Sequence, residues 1–179
     1  MKRNTKKGQI WIETVLYTLI GLALIGLVLA IATPKINKAK DRIVVEQTIE
    51  SLGVWDEKIN DVLDKSPGNM RVISAFAMKR GELYISPGED KIFFVLDDLS
   101  EPYSEPGIVI EYGEIDLVSE QGAGSSSVRL TLDYTNVTNL TYSGTEELAK
   151  FTAASTPYSF SFENRGGVNI TNVDIQQTN

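Results

Sequence analysis

Residues 7–34 read KGQIWIETVLYTLIGLALIGLVLAIATP, and this stretch decides how the rest of the chain must be organised. Twenty consecutive residues, 14–33, carry no charge and are dominated by Leu, Ile, Val, Ala and Gly. As a helix they would extend roughly 30 Å, which is the thickness of the hydrocarbon core of a bilayer. The sequence therefore predicts a membrane-spanning helix close to the N-terminus.

The charges on either side of this stretch predict its orientation. Residues 1–8 contain four basic side chains and no acidic one (Lys2, Arg3, Lys6 and Lys7). Basic residues before a span hold that end in the cytoplasm, so we expect the rest of the chain to lie outside the cell. The whole chain has 17 Lys and Arg against 24 Asp and Glu, which leaves an acidic remainder without a broad basic surface. We therefore expect the membrane, and no nucleic acid, as a partner.

The composition of the 179 residues limits the chemistry that is available. There is no His, the usual general base near neutral pH and the commonest metal ligand, and no Cys. These absences exclude Ser-His-Asp hydrolases, cysteine proteases and Cys-based zinc sites. The length suits one domain with an appendage.

Three interpretations of the N-terminal stretch compete. It could be a plain signal anchor, or a secretory signal peptide with Ala30 and Ala32 as its cleavage motif. The secretory interpretation requires an unusually long apolar region and leaves Glu13 unexplained. The third interpretation depends on the order of the features, because Lys7-Gly8 ends the basic segment and QIWIE precedes the long apolar run.

The segment Lys7-Gly8-Gln9, with Glu13 in the fifth position after the glycine, resembles the class III signal peptide of archaeal type IV pilins and archaellins. The resemblance implies that a prepilin peptidase cuts after Gly8, so that the mature protein begins at Gln9 and keeps the apolar helix. Many archaeal members have a small or hydroxyl residue two positions after the Gln, where this chain has Trp11. The resemblance covers about a dozen residues.

Glu13 places a carboxylate near the start of the apolar helix. A carboxylate costs roughly 2–3 kcal/mol at the centre of a bilayer and less near the interface. The resemblance implies that Glu13 pairs with the N-terminal amine of Gln9 in a neighbouring copy and so sets the axial register of an assembly. The alternative is a solvated Glu13 at the depth of the lipid headgroups.

Pro34 follows the apolar run and predicts a kink or an interruption there, because proline lacks an amide donor and clashes with the preceding turn. Thr33-Pro34 also resembles the N-cap and first position of a new helical segment. An amphipathic helix is predicted over 34–66, ending at the turn residues SPGN (66–69). Its predicted apolar stripe consists of Ile36, Ala39, Ile43, Ile49, Leu52, Ile59 and Val62.

The pattern changes to strands after the turn. Short runs rich in Ile, Val, Phe and Tyr alternate with polar residues, as half-buried strands do. Strands are predicted over 71–78, 82–86, 91–96, 108–112, 115–118, 128–134, 158–162 and 168–175, with a helical turn over 146–150. The fold class is therefore α+β: a long N-terminal hydrophobic helix, half membrane span and half amphipathic, followed by an antiparallel, sandwich-like β domain.

Candidate chemistry in this domain is sparse. Asp97, Asp98 and Glu101 lack the alternating oxygen ligands of an EF-hand and are interpreted as a solvated loop. The Gly-rich segment 122–127 lacks the Lys of a phosphate-binding loop and is interpreted as a hairpin tip. No catalytic, metal or cofactor site is predicted.

Three N-glycosylation sequons occur after residue 130. They are Asn136-Val137-Thr138, Asn139-Leu140-Thr141 and Asn169-Ile170-Thr171. All three fall in the part of the chain that is expected outside the cell. They predict possible N-glycosylation at Asn136, Asn139 and Asn169.

The sequence pattern predicts a membrane span, an amphipathic helix (34–66) and an extracellular β domain (70–179). The resemblance implies in addition that residues 1–8 are a class III signal peptide and that the span, residues 9–33, becomes the core of a filament. The resemblance implies a non-enzymatic filament subunit at the cell surface that acts in adhesion, with archaellum-type motility less favoured. The implied partners are the prepilin peptidase, an assembly ATPase with its membrane platform, and other pilin copies. The alternative is a membrane-tethered extracellular binding domain, or a minor pilin, that does not itself polymerise.

Overall fold

The computed structural model of the chain describes residues 5–178, with side chains from Trp11 onward. Within these residues one long helix precedes ten strands and a short 3-10 helix. The elements are α1 (Thr5–Leu63), β1 (Met70–Phe76), β2 (Glu82–Ser86), the 3-10 helix (Pro87–Glu89), β3 (Lys91–Leu99), β4 (Val109–Tyr112), β5 (Ile115–Gln121), β6 (Ser126–Asp133), β7 (Asn139–Tyr142), β8 (Ala149–Thr152), β9 (Tyr158–Gly166) and β10 (Asn172–Gln177). The predicted α+β class is confirmed.

The chain divides into two compact units. The first ends at Lys40 and consists of the N-terminal part of α1, and the second begins at Asp41 and contains the remainder of α1 with all the strands. We call the second unit the β domain and count residues 41–63 of the helix as part of it. The first unit includes the apolar residues 14–33.

The strands of the β domain form two sheets. Sheet A has the order β1-β9-β10-β7, and sheet B has the order β4-β5-β6-β3-β2-β8. Neighbouring strands are antiparallel in both sheets except for β7 and β10, which run parallel with Asn139 opposite Asn172. The parallel pair matters for the sequons, because parallel strands begin at the same end of a sheet.

One hydrophobic core joins the helix to both sheets. In β2 and β6 of sheet B the burial alternates along the strand, so that Leu83 and Ile85 in β2 and Leu130 in β6 are buried while their neighbours are more exposed. Residues 41–63 of α1 bury one face against this core. Its fully buried side chains are Val45, Leu52, Trp55, Ile59 and Val62.

The predicted helical stripe was correct in part. Leu52, Ile59 and Val62 are buried and Ile49 packs against the core, but Ile36 and Ile43 are 52% and 51% exposed. The predicted stripe extended too far toward the N-terminus, because the face that meets the core begins at Val44 and Val45.

The predicted strands all correspond to observed ones, with shifted ends. The main correction is at 168–175, because residues 168–170 form a bend and β10 begins at Asn172. Strands β7 and β8 were not predicted, and the helical turn over 146–150 was wrong, since β8 begins at Ala149. The Gly-rich hairpin tip is confirmed between β5 and β6, where the amide of Gly122 donates to the carbonyl of Ser125 at 2.9 Å.

Gly81, before β2, is required by both conformation and space. Its φ is +88°, and a Cβ atom there would lie 2.4 Å from a ring carbon of Phe94 and 2.6 Å from the carbonyl oxygen of Val95. A larger residue would strain the backbone and push against β3 at the same time.

Candidate assembly segment and its anchorage

The apolar segment, residues 14–33, exposes its side chains along the whole of its length. The window of α1 that is apolar enough to cross a membrane is 0% buried, and by length and composition it would serve as a membrane span or as a signal sequence. Its exposed large apolar side chains are Val15, Leu16, Tyr17, Leu19, Ile20, Leu22, Leu24, Ile25, Leu27, Val28, Leu29 and Ile31. The β domain, in contrast, buries one face of residues 41–63. Within the first unit, the large apolar side chains of the segment are therefore left exposed.

Two of the polar side chains in the segment are satisfied by the helix itself. The hydroxyl of Thr18 donates to the carbonyl oxygen of Thr14 at 2.8 Å, and that of Thr33 donates to the carbonyl oxygen of Leu29 at 2.7 Å. Such bonds to the preceding turn allow hydroxyl groups to enter an apolar environment. They fit a helix that is surrounded by lipid or by other helices.

Glu13 lies one residue before the apolar segment and is exposed. Residues four apart share a face of a helix, so Glu13, Tyr17 and Gly21 lie along one line. A Cβ atom at Gly21 or at Gly26 would meet nothing within 4 Å, so packing within this chain does not require glycine at either position. The line combines a carboxylate, a phenol and a place where a second helix can approach closely.

The predicted processing site lies outside the described side chains. Lys7, Gly8 and Gln9 fall in the first turns of α1, where the structure describes the backbone alone. Cleavage after Gly8 and pairing of Glu13 with the amine of Gln9 stay predictions.

Pro34 lies inside α1, and the helix continues through it to Leu63. The new helical segment that was predicted to begin at Thr33-Pro34 is therefore wrong. Thr33 does not act as an N-cap, because its hydroxyl is bonded backward to Leu29 as in the middle of a helix. A kink at Pro34 stays a prediction.

Trp55 anchors the helix in the β domain. Its ring lies 4.7 Å from that of Phe160, 5.1 Å from that of Phe162 and 5.4 Å from that of Phe76, measured between centroids. These phenylalanines come from β1 and β9, so the helix packs on sheet A through an aromatic cluster. Among the described residues, the indole Nε1 of Trp55 is a buried polar atom without a hydrogen-bond partner.

Asp41 anchors the start of the helical part of the β domain. Its Oδ1 accepts from Nη1 of Arg80 at 2.6 Å, and its Oδ2 accepts from the hydroxyl and the amide of Ser100 at 2.6 and 2.7 Å. Burial by itself would raise the pKa of Asp41, but the bonds from Ser100 and then Arg80 outweigh it and lower that pKa. Arg80 also donates to the carbonyls of Asp97 and Asp98, which ties the helix to β3.

Two further contacts fix the other end of the helix. Nδ2 of the buried Asn164 donates to the carbonyls of Val62 and Lys65 at 2.8 and 2.9 Å, so it caps the C-terminus of α1 from β9. The phenol of Tyr134 donates to Asp56 at 2.9 Å. Burial, reinforced by the charge of Asp56, raises the pKa of Tyr134 far above its ordinary value.

The acidic residues considered for calcium do not form a metal site. Asp97 and Asp98 lie within β3, where Asp98 has a φ of +56°, so the predicted loop is wrong for these two residues, although both are exposed. Glu101 lies in a bend after β3 and is exposed, as predicted. In the part of the chain that the structure describes, no group of three or more acidic side chains is placed to hold a metal ion. A cleft of about 310 Å³ lies between the helix and the segment after β1, and its walls include Gln47, Lys79 and Arg80.

The sequons all lie in the β domain. Asn136 and Asn169 are exposed, and Asn139 is half-buried as the first residue of β7. Their modification stays a prediction.

The residues that sequence reasoning missed are those of the anchorage. Trp55, Asp41, Arg80 and Asn164 were not singled out. Trp55 could have been found, since it lies three residues after Leu52 and four before Ile59 and so falls on the face of the predicted apolar stripe. The pairing of Asp41 with Arg80 joins residues 39 positions apart and has no sequence signal.

No protein-family model, curated protein or solved structure matches the chain. The arrangement of its elements, a long apolar N-terminal helix followed by a β-rich domain, fits the architecture of a type IV pilin-like protein.

Proposed function

We propose that the chain is a structural, non-enzymatic subunit of an archaeal type IV pilus-like surface filament, assembled through its N-terminal helix. The observation that carries the proposal is the contrast within α1. Residues 41–63 bury five apolar side chains in their own domain, whereas residues 14–33 bury none of their large ones.

The exposed apolar side chains require a partner. Eleven half-exposed aliphatic side chains lie between Val15 and Ile31, and at roughly 1 kcal/mol each their exposure to water would cost on the order of 10 kcal/mol. Lipid covers such a helix before assembly. After extraction from the membrane, the apolar helices of other copies provide the same cover, and a filament core results.

Glu13 gives this packing its register. A carboxylate at the margin of the apolar segment is unfavourable in lipid unless it is paired. Cleavage after Gly8 would create an amine at Gln9 that could pair with Glu13 of a neighbouring copy. The helix line of Glu13, Tyr17 and Gly21 would then face that neighbour, with the glycine allowing a close approach.

The other partners follow from this role. A prepilin peptidase would remove residues 1–8, and an assembly ATPase acting through a membrane platform would drive extraction from the membrane. The β domain would stay outside the cell, where it would mediate adhesion. The anchorage through Trp55, Asp41 and Asn164 would let the domain remain folded while the apolar segment exchanges lipid for protein.

The N-terminus of the native protein tests processing. Mass spectrometry should find Gln9 as the first residue of material sheared from the cell surface. Met1 would indicate a plain anchor, and Thr33 a secretory signal peptide; either result would overturn the proposal.

The role of the carboxylate is tested by Glu13→Gln, with Glu105→Gln in an exposed loop as the matched control. The Glu13 variant should reduce the yield of sheared filaments while the amount of membrane-inserted protein is unchanged. The Glu105 variant should leave both unchanged. Equal filament yields from the two variants would favour a membrane-tethered domain that does not polymerise.

A further inference from the structure

The three sequons, although 33 residues apart at the extremes, meet at one end of sheet A. Asn136 lies in the turn before β7, and Asn169 lies in the loop before β10, which runs parallel to β7. The carbonyl oxygen of Thr171 accepts from the amide of Asn139 at 2.9 Å and from the hydroxyl of Thr138 at 2.6 Å. Residues of all three sequons therefore take part in one contact.

Folding engages the hydroxyl groups of the first two sequons. The motif requires a hydroxyl residue two positions after the Asn, so a transferase must reach both side chains. Thr138 is 1% exposed and bonded to Thr171, and Thr141 is 9% exposed and donates to the buried Asp174 at 2.9 Å. Neither hydroxyl can be reached while β7 is paired with β10.

The backbone pairing of Asn139 also restricts the access of a transferase to this residue. It is the first residue of β7, is half-buried, and lies opposite Asn172 in the parallel ladder. Asn136 is itself exposed, in a left-handed turn with a φ of +64°, but its partner Thr138 is enclosed. A transferase could use either sequon only after β7 leaves the sheet.

The acceptor residue of the third sequon lies in the loop before β10, although the backbone carbonyl of its Thr171 is bonded to β7. Asn169 is exposed, its neighbour Val168 is fully exposed and Ile170 is 45% exposed, while Thr171 is half-buried. The loop 167–171 thus presents the acceptor amide together with two apolar side chains. A glycan there would cover apolar surface that nothing else in the β domain covers.

We propose that Asn169 is the acceptor for an N-linked glycan in the folded β domain, and that Asn136 and Asn139 accept one only before β7 joins β10. The co-reactant is a lipid pyrophosphate-linked oligosaccharide. The Nδ2 atom of Asn169 forms a bond to C1 of the first sugar, and the bond from C1 to the phosphate oxygen breaks, with its electron pair staying on that oxygen. The amide nitrogen loses one proton to solvent, the lipid pyrophosphate leaves, and no oxidation or reduction occurs.

The test uses the full chain, produced in a host without a glycan transferase and held in detergent micelles. It is incubated with an oligosaccharyltransferase and a lipid pyrophosphate-linked oligosaccharide, beside synthetic peptides of residues 132–143 and 165–176. Mass spectrometry of glycopeptides should find Asn169 modified in the chain and in its peptide. Modification of Asn136 and Asn139 should be at least about tenfold lower in the folded chain than in the peptide, because it requires local opening of β7.

Two variants of Thr171 distinguish the need for the hydroxyl group of the sequon from the need for the shape of the loop. Thr171→Ser keeps the hydroxyl and should keep the glycan at Asn169, whereas Thr171→Val preserves the shape and should abolish it. An unmodified Asn169 in the folded chain would overturn the proposal. Equal modification of Asn136 or Asn139 in the folded chain and in the peptide would also overturn it. A peptide 132–143 that is modified at neither position would do the same, because folding would then not be the reason why these two asparagines stay unmodified.

Discussion

Replacing Trp55 with Ala should detach the helix from the β domain more than any other single truncation in residues 41–63. Trp55 is fully buried and meets three phenylalanine rings at centroid distances of 4.7 to 5.4 Å. Large-to-small changes of an aromatic core residue cost about 3–5 kcal/mol. Some of this is offset because the buried indole N–H has no partner among the residues that the structure describes, and an unsatisfied donor costs about 1–3 kcal/mol in the folded state. We expect a net loss of roughly 3 kcal/mol in the free energy of unfolding.

The substitution Trp55→Phe distinguishes the contribution of ring packing to stability from the cost of the unpaired indole N–H. It keeps a ring in contact with the cluster and removes the donor, so we expect a change within about 1.5 kcal/mol of the wild type. Val54→Ala is the matched control, since Val54 is the adjacent helical residue and is 41% exposed. It should change the free energy of unfolding by no more than about 0.5 kcal/mol.

The assay is urea-induced unfolding of the full chain in detergent micelles, followed by far-ultraviolet circular dichroism of the β domain and extrapolated to water. Circular dichroism is preferred because the chain has two tryptophans and the substitutions remove one of them. A loss below about 1 kcal/mol for Trp55→Ala, or an equal loss for the Phe variant, would refute the reasoning that the aromatic cluster holds the helix.

Three further predictions concern the β domain. Asn164→Ala removes two hydrogen bonds at the end of α1, although the carbonyl of Val62 keeps the bond from the amide of Lys65 at 3.3 Å, and it should lower the free energy of unfolding by about 1–3 kcal/mol in the same urea assay. Hydrogen bonds from the hydroxyl and then the amide of Thr135 lower the pKa of Asp133 to about 2, below its unfolded value of about 3.9. The contribution of Asp133 to the free energy of unfolding is therefore present above about pH 4 and is lost as the pH falls toward 2. The difference in stability between wild type and Asp133→Asn should shrink over that range, and a difference that does not depend on pH would contradict the prediction. Gly81→Ala should destabilise by more than about 2 kcal/mol, whereas Gly88→Ala, where a Cβ meets nothing, should change stability by about 0.5 kcal/mol or less in thermal unfolding.

The strands that could be predicted are those whose side chains alternate. In β2, β3 and β6 an apolar residue at every second position is buried, and the pattern reports the burial directly. Strand β7 was not predicted because Asn139 and Thr141 are polar and because the strand has only four residues, which pair with β10. Its place is decided by the buried contacts of Thr141 with Asp174, which a pattern along one strand does not contain.

Strand β8 shows tertiary structure overriding local preference. Residues 146–150, EELAK, favour a helix by propensity, but Ala149 and Phe151 alternate into the core and pair with β2. The ring of Phe151 meets that of Phe160 at 5.0 Å, a contact with sheet A that stabilises the extended form. The alternation of Ala149 and Phe151 indicated a strand, but the helix propensity of the charged residues before them led to the prediction of a helical turn.

The candidate assembly segment could be predicted from the sequence, whereas its anchorage in the β domain could not. The apolar segment and Glu13 could be found from the sequence, because length, charge and order are properties of a continuous stretch. The anchorage could not, because Arg80 reaches Asp41 and Asn164 reaches Val62 across the fold. The helix boundary predicted at Pro34 was wrong because the prediction used only the missing amide donor of proline, whereas α1 continues through Pro34 to Leu63.

Photo-cross-linking from the apolar segment tests the central claim most directly. A photoreactive amino acid is placed at Leu22, which is 61% exposed, and, as a control, at the exposed Ser74 of β1. After irradiation of material sheared from the cell surface, mass spectrometry should map cross-links from position 22 to residues 14–33 of a second copy, in dimers and higher multiples. Protein that stays monomeric, with position 22 joined only to lipid or detergent, would contradict assembly through the N-terminal helix.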